Sequence, residues 1–440
     1  MDNYDIIIYS DNINNRKKYV FSHIFNNYFS INPLITQNIE EFKISNLPKI
    51  CYANQPINNV FYIKPQGLLD EFNKIQEKNL EVEYIDNIPT IFNTNNECNL
   101  GFDVFSAVFY LLSRYEEYTN KNFDRHGRFD ESFSFFVKNN LHSEPLVDIW
   151  INYLGTKLST IYPSLIKNES TFQYHPTIDI DDFYEIKGKS IAYTWLRLFK
   201  KLLFGKIKEL KFFINVITNK KDDPYDSYDF LHFNLKNHFP TPVFFFHVGG
   251  KKSSYDNSNN YWSLSVKNKI LSFLQHYQCG LHVSYNSNNN ADRIKKEKFK
   301  LEKIVQKEIY KSRNHFIRIK IPDTYRRLIQ IGITEDYSMG YPSINGFRAG
   351  TAHPFLWYDL ENEQITNLMI YPFQAMDATY SYYLRMSRNE IINDIRSLMT
   401  KTKKYKGTFR IIWHNSTFTP YKSGDMWKEI FLTILKESSI

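Results

Sequence analysis

Three carboxylates sit close together in the stretch His175-Pro176-Thr177-Ile178-Asp179-Ile180-Asp181-Asp182. If residues 174–180 form a buried strand, its alternation sends Asp179 and Asp181 to one side at the C-terminal lip. Two carboxylates on one face repel each other unless a cation, a shared proton or an arginine lies between them. Such a pair can bind a divalent metal and accept a proton. A solvated turn with helix-capping aspartates would have the same composition, so the pair needs partners. His282, Arg313, Asp336 and His414 supply candidates, because each falls at or beside the end of an apolar, strand-like run.

The surrounding pattern says how these residues are positioned. Apolar runs at 243–248, 280–285, 315–319, 332–334, 368–371 and 409–414 alternate with helical periodicities at 260–274, 294–309, 324–330 and from Ser387 onward. Glu390 stands three residues after Ser387, the capping-box spacing. Alternating strands and helices predict a parallel sheet or (β/α) barrel with function on the loops after the strand C-termini. Asp179, Asp181, His282, Arg313, Asp336 and His414 then share one end.

Residues 5–158 read as a smaller α/β unit, with strands at 5–9, 49–52, 59–63 and 90–92. Its helices are expected near 17–25, from Gly67, over 104–118 and over 145–158. The expected division is an N-terminal domain of unknown role at 1–165 and a second domain at 172–440, the length of 440 residues favouring two cores. The turn Asp124-Arg125-His126-Gly127-Arg128-Phe129 reads as structural. His247, inside an apolar run, also reads as structural. The aromatics Phe355, Trp357 and Tyr358 suit either core packing or stacking on a sugar.

Composition narrows the class. A net charge of +8 with basic and acidic residues interspersed does not favour nucleic acid as a partner. Three cysteines, Cys51, Cys98 and Cys279, are odd in number and lack metal-type spacing, which fits a reducing compartment. The first residues carry acids where a secretory signal carries bases, and no run of about 18 apolar residues occurs. The expected location is cytoplasmic, at the inner face of a membrane. That last expectation comes from residues 187–221, which hold ten Lys or Arg against the single acid Glu209. Within it, Trp195, Leu196, Phe199, Leu203, Ile207 and Leu210 follow the helical period, opposite Arg197, Lys200, Lys201, Lys208 and Lys211. A basic amphipathic insertion of this kind lies on an anionic membrane, here through about 194–213, or packs on its domain with a solvated basic face.

Taken in order, Thr-Ile-Asp-Ile-Asp at 177–181, Gly-Leu-His-Val-Ser-Tyr at 280–285, the strand near Arg313, Glu-Asp-Tyr-Ser-Met-Gly-Tyr at 335–341 and Ile-Trp-His-Asn at 412–415 resemble the NodB-like polysaccharide deacetylases of carbohydrate esterase family four. Asp-Ile-Asp-Asp-Phe-Tyr-Glu-Ile-Lys-Gly-Lys at 179–189 and Gly-Phe-Arg-Ala-Gly-Thr at 346–351 are similar to a bacteroidete branch with an extra N-terminal α/β domain. The resemblance covers about 175–420. It implies a distorted (β/α) barrel and a hydrolase that removes N-acetyl or O-acetyl groups from a cell-surface or cell-wall polysaccharide or its precursor. It further implies Asp179 as general base, Asp181 and His282 as ligands of a divalent metal, zinc by preference, and His414 as general acid. The family's second metal histidine falls at position 286, where this chain has Asn286; His315 and Asp182 are possible substitutes. Arg313 would orient the base, and Asp336 would tune His414, with Asp377 the second candidate. Arg348, Tyr285 and Trp413 would contact the carbohydrate. A catalytically impaired scaffold in glycan assembly is the alternative that Asn286 favours. A metal-independent glycosidase has less support, since no second acid is placed opposite Asp179.

Overall fold

The computed structural model describes residues 4–95, 97–166, 170–189, 191–249, 253–256, 261, 263–419 and 424–438. Near the N-terminus four parallel strands, β1 (Ile6–Ser10), β2 (Pro33–Thr36), β3 (Lys49–Tyr52) and β4 (Phe61–Ile63), form a sheet in the order β2-β1-β3-β4. A hairpin of β5 (Glu83–Ile85) and β6 (Ile88–Thr90) follows. Helix 104–118 of the sequence reading is broken: Val104–Leu112 and Tyr115–Thr119 meet at Arg114, whose φ of 55° is left-handed. The helix expected at Gly67 is one short turn, Leu68–Asp70, and the strand expected at 90–92 lies slightly earlier, as β6.

Among the described residues the second sheet has nine strands: β7 (Gln173–Ile180), β8 (Val243–Phe246), β9 (Gln278–Val283), β10 (Lys311–Asn314), β11 (Glu335–Asp336), β12 (Phe355–Asp359), β13 (Gln364–Ile370), β14 (Ala375–Met376) and β15 (Thr408–His414). Their order is β12-β13-β11-β10-β9-β8-β7-β15-β14, and every pair is parallel except β12 with β13. Helices Leu264–Phe273, Ala291–Val305, Asp323–Gln330 and Arg388–Lys404 connect the parallel strands, the last opened by the Ser387/Glu390 capping box. The α/β class with parallel sheets therefore stands.

Among the described residues the backbone ladder does not close, yet the sheet is strongly curled. Neighbouring strands are roughly 4.8 Å apart, so β7 and β10, with two strands between them, would lie about 14 Å apart on a flat sheet. Instead Arg313 on β10 reaches Asp179 on β7 at 2.7 Å. On the far side Arg410 of β15 lies 5.1 Å from the ring of Tyr371, just past β13. That side-chain contact reaches toward the other edge across the gap that the hydrogen-bonded strands leave, and Gln374 beside Arg410 extends the β14–β15 pairing.

One hydrophobic cluster runs through both sheets, joining Tyr19 and Phe109 to Tyr358. Phe355, Trp357 and Tyr358 are fully buried in it, which favours core packing over sugar stacking. Buried ion pairs cross the same boundary: Arg16 with Glu363, and Arg348 with Glu117. Among the described residues no helix is long and apolar enough to cross a membrane.

Candidate metal and hydrolytic site

Strand β7 turns Ile178 and Ile180 into the core and presents Thr177 and Asp179 to the concave side, with Asp181 just beyond the strand end. Its neighbour β15 puts His414 in register with Asp179. Likewise β10 pairs Arg313 with His282 of β9. The curl then brings these side chains together at one end of the sheet.

Arg313 is completely buried and fully engaged. Nη1 donates to Asp179 Oδ1 at 2.7 Å, Nη2 to Thr177 Oγ1 at 2.9 Å and Nε to the Tyr337 carbonyl at 3.0 Å. Its guanidinium lies 4.4 Å from the centroid of the Phe245 ring. A Cβ on Gly280 would come within 2.4 Å of that ring, so glycine is required under this stack. The second oxygen of Asp179, Oδ2, remains directed at His282 Nε2, 3.7 Å away.

Asp181 is the hub. Oδ1 lies 3.1 Å from His282 Nε2 and 3.6 Å from His315 Nε2, while Oδ2 is 3.9 Å from His414 Nε2. Its side chain keeps 31% exposure, so the cluster opens to solvent. Burial would raise its pKa, but His315, His282 and His414 hold the carboxyl well below the usual range. His282 Nδ1 donates to the Arg313 carbonyl at 3.1 Å, which leaves Nε2 facing the carboxylates. That buried Nε2 meets no well-aligned hydrogen-bond partner among the described residues.

His315, not position 286, stands beside Asp181 and His282. Strand β10 ends at Asn314, earlier than the strand expected at 315–319, and Phe316 and Ile317 have φ of 61° and 53°. This left-handed pair turns the chain away and leaves His315 at the lip. Nδ1 of His315 is 3.1 Å from Asp256 Oδ1, while Nε2 faces Asp181. Desolvation lowers the pKa of His315, but Asp181 and Asp256 overcome this and raise it to about 9.

The donor set fits a divalent metal. One atom each from Asp181, His282 and His315 lies within 4.8 Å of the others. A tetrahedral ion with bonds of about 2.0–2.1 Å spaces its ligand atoms about 3.3 Å apart. The 3.1 and 3.6 Å separations straddle that value. Both histidines also have their other nitrogen fixed, one by a carbonyl and one by a carboxylate, as metal-binding imidazoles commonly do. His247, Asp256 and His315 form a second grouping. There Asp256 accepts from His247 and His315 and from the backbone N–H of Tyr285 and Asn286, contacts that outweigh desolvation and lower its pKa. Those bonds make Asp256 the support of His315.

The remaining candidates are distributed as follows. Asn286 is exposed, and its bonds run through its backbone, from its N–H to Asp256 and to its carbonyl from Arg293; the third nitrogen donor comes from His315 instead. Asp182 is held by Lys189. Asp336 is buried between Ser312 and Ser338, its pKa raised to about 6 by desolvation, and Asp377 takes the place beside His414 expected of it. Asp377 Oδ1 is 2.6 Å from His414 Nδ1 and its Oδ2 accepts the His414 backbone N–H at 2.8 Å. Burial lowers the pKa of His414, yet Asp377, Asp181 and Asp179 raise it to about 10. Arg348 corrects the sugar-binding expectation: it is buried and committed bidentately to Glu117. Trp413 alternates to the other face of β15 and is buried against Tyr174, away from the site. Tyr285 does stand at the lip, half-buried, its ring 4.3 Å from that of exposed Tyr255. The 124–129 turn braces this lip, with Arg128 donating to the Phe316 carbonyl and His126 Nδ1 3.2 Å from the Tyr285 hydroxyl.

Sequence reasoning missed Asp256 altogether. It lies in a polar loop after β8 without periodicity, and only the two imidazoles that converge on it mark it out.

Residues 6–163 match a family of unknown function (DUF7033). No curated protein matches the chain. Among solved structures, a Mycobacterium smegmatis protein described as a polysaccharide deacetylase is similar at 12% identity and a TM-score of 0.37, over 60% of this chain and 84% of that one. An allantoinase is similar at 8% identity and a TM-score of 0.38, over 61% and 85%. Likeness at this level assigns no activity, and the functional reading rests on the geometry above.

Proposed function

We propose that the protein is a metal-dependent hydrolase that removes acyl groups, N-acetyl or O-acetyl, from a cell-surface polysaccharide or its precursor. The observation that carries this reading is the convergence of Asp181, His282 and His315 on one point beside two further poised groups, Asp179–Arg313 and His414–Asp377. A divalent cation, zinc by preference, would polarise the acyl carbonyl and lower the pKa of a water molecule there.

The chain's own residues divide the proton work. Asp179, fixed by Arg313 through Oδ1, presents Oδ2 as the base that takes a proton from the attacking water. His414, held by Asp377 and kept protonated by its acidic neighbours, delivers a proton from Nε2 to the departing nitrogen or oxygen. Water adds to the carbonyl, the acyl bond breaks, and an acid and an amine or alcohol leave. The exposed ring of Tyr255, backed by Tyr285, offers an aromatic surface at the lip of the kind that stacks on a sugar.

The test measures metal content of purified protein and acetate release from N-acetylated oligosaccharides, with Asp181→Ala as control. Stoichiometric metal and acetate release, both lost in Asp181→Ala, support the reading. Wild type that binds no added zinc, cobalt or manganese and releases no acetate overturns it and leaves the scaffold alternative.

A further inference from the structure

The basic insertion folds as a helical hairpin, Ile191–Leu203 followed by Ile207–Ile217, and its first helix is turned inside out. Ile191, Trp195, Leu196, Phe199, Leu202 and Leu203 occupy one face, and that face points to solvent; Ile191 is 79% and Trp195 68% exposed. Phe204, 74% exposed, and Ile207 continue the patch across the connection. Two of its basic residues, Arg197 and Lys201, point inward. Arg197 packs on Phe213 at 5.1 Å and bonds the Glu185 carbonyl, and Lys201 pairs with Glu209 at 2.6 Å. The hairpin's own small core is Phe213 and Val216 with Ile186.

A helix packed on its domain buries its apolar stripe, so the orientation here is the reverse of the ordinary one. A contiguous exposed patch of this kind marks a contact surface. We propose that the hairpin docks on an anionic lipid surface, with the Trp195/Phe199/Leu202 face entering the headgroup boundary. Charge selects this occupant. The segment 187–221 carries ten basic residues and one acid, and Lys200, Lys206, Lys208 and Lys211 are exposed around the patch. Aromatic and aliphatic anchors rimmed by lysine are the composition of interfacial helices, and lysine near an anionic bilayer adds attraction. Two copies pressed face to face would set like charge against like charge.

The hairpin begins at Ile191, ten residues after Asp181, and Asp223 clamps its base by accepting the backbone N–H groups of Glu185, Ile186 and Lys187 at 2.8–2.9 Å. The docking inference stands on the hairpin alone and is independent of the proposed chemistry.

Full-length protein is sedimented with phosphatidylcholine vesicles and with vesicles that also contain phosphatidylglycerol. Binding is expected only to the mixed vesicles, to fall with added salt, and to weaken about ten-fold or more in Trp195→Asp/Phe199→Asp. Those positions are exposed, so the thermal midpoint of the double variant should equal that of wild type. Lys200→Glu/Lys208→Glu/Lys211→Glu should lose the preference for the anionic lipid. The proposal is overturned if wild type fails to sediment with mixed vesicles, or if the Trp195/Phe199 variant sediments equally well. A lipid-free dimer that the same variant abolishes also overturns it, since the occupant is then a second copy.

Discussion

Asp256 and His315 meet through Oδ1 and Nδ1 at 3.1 Å, which leaves His315 Nε2 directed at Asp181. The carboxylate fixes both the ring orientation and the tautomer, and raises the basicity of the nitrogen that would bind a metal. Asp256→Asn keeps the shape and removes the charge. Zinc affinity, measured by competition with a chromophoric chelator, is expected to fall about 10–100-fold. An unchanged affinity would remove His315 from the ligand set.

His414 depends on Asp377 in the same way, through contacts of 2.6 Å to the ring and 2.8 Å to the backbone. In Asp377→Asn the imidazole loses the carboxylate that stabilises its cation. Turnover of an N-acetylated sugar should drop on the order of 10²–10⁴-fold, the usual contribution of a placed acid. A nitrophenyl acetate, whose leaving group needs no proton, should lose far less. Equal losses on both substrates would argue that Asp377 only supports the fold.

How far the sequence revealed this site follows from strand geometry. Asp179, His282, Arg313 and His414 lie in strands whose alternation fixes their face, and they converge. His315 was ambiguous because β10 ends at Asn314, and the left-handed turn at Phe316 and Ile317 has no composition signal. Arg348 and Asp336 misled for a related reason. Neither the loop motif around Arg348 nor the strand-end position of Asp336 says whether a buried partner, Glu117 for the one and Ser312 with Ser338 for the other, already holds the side chain. The antiparallel β12 was read only as an aromatic cluster, since its side chains are buried on both faces and show no alternation. Curling cannot be read from local pattern at all, because the Arg313–Asp179 contact spans two intervening strands.

Glu117 joins the two sheets. It accepts from Arg348 Nε and Nη2 and from Arg114 Nε, all three residues being buried, and these pairs outweigh desolvation to hold its carboxyl below the ordinary range. Glu117→Gln would leave the buried Arg348 guanidinium without its countercharge, while Arg114 keeps Glu116, at a cost of about 3–5 kcal/mol. Urea unfolding should show that loss, with KM for a sugar substrate unchanged in the protein that remains folded. A raised KM with unchanged stability would return Arg348 to substrate binding.

His23 makes the fold acid-sensitive. It lies in the π-helical turn Ser22–Tyr28, fully buried and stacked on Tyr19, and neither ring nitrogen has a hydrogen-bond partner among the described residues. Desolvation, with a smaller contribution from His353, lowers its pKa from 6.5 to about 3. In the unfolded chain the ring takes up a proton below pH 6.5, whereas in the folded protein it stays neutral until about pH 3. Stability is therefore complete above 6.5 and falls as the pH drops through that window, by roughly 2 kcal/mol at pH 5. His23→Leu, of similar volume, removes both the unpartnered nitrogens and the titration. The urea midpoint of the variant should match or exceed that of wild type at pH 7.5. The gap between the two proteins should widen in the variant's favour at pH 5. Parallel declines would show that other groups, His175 among them, carry the acid sensitivity.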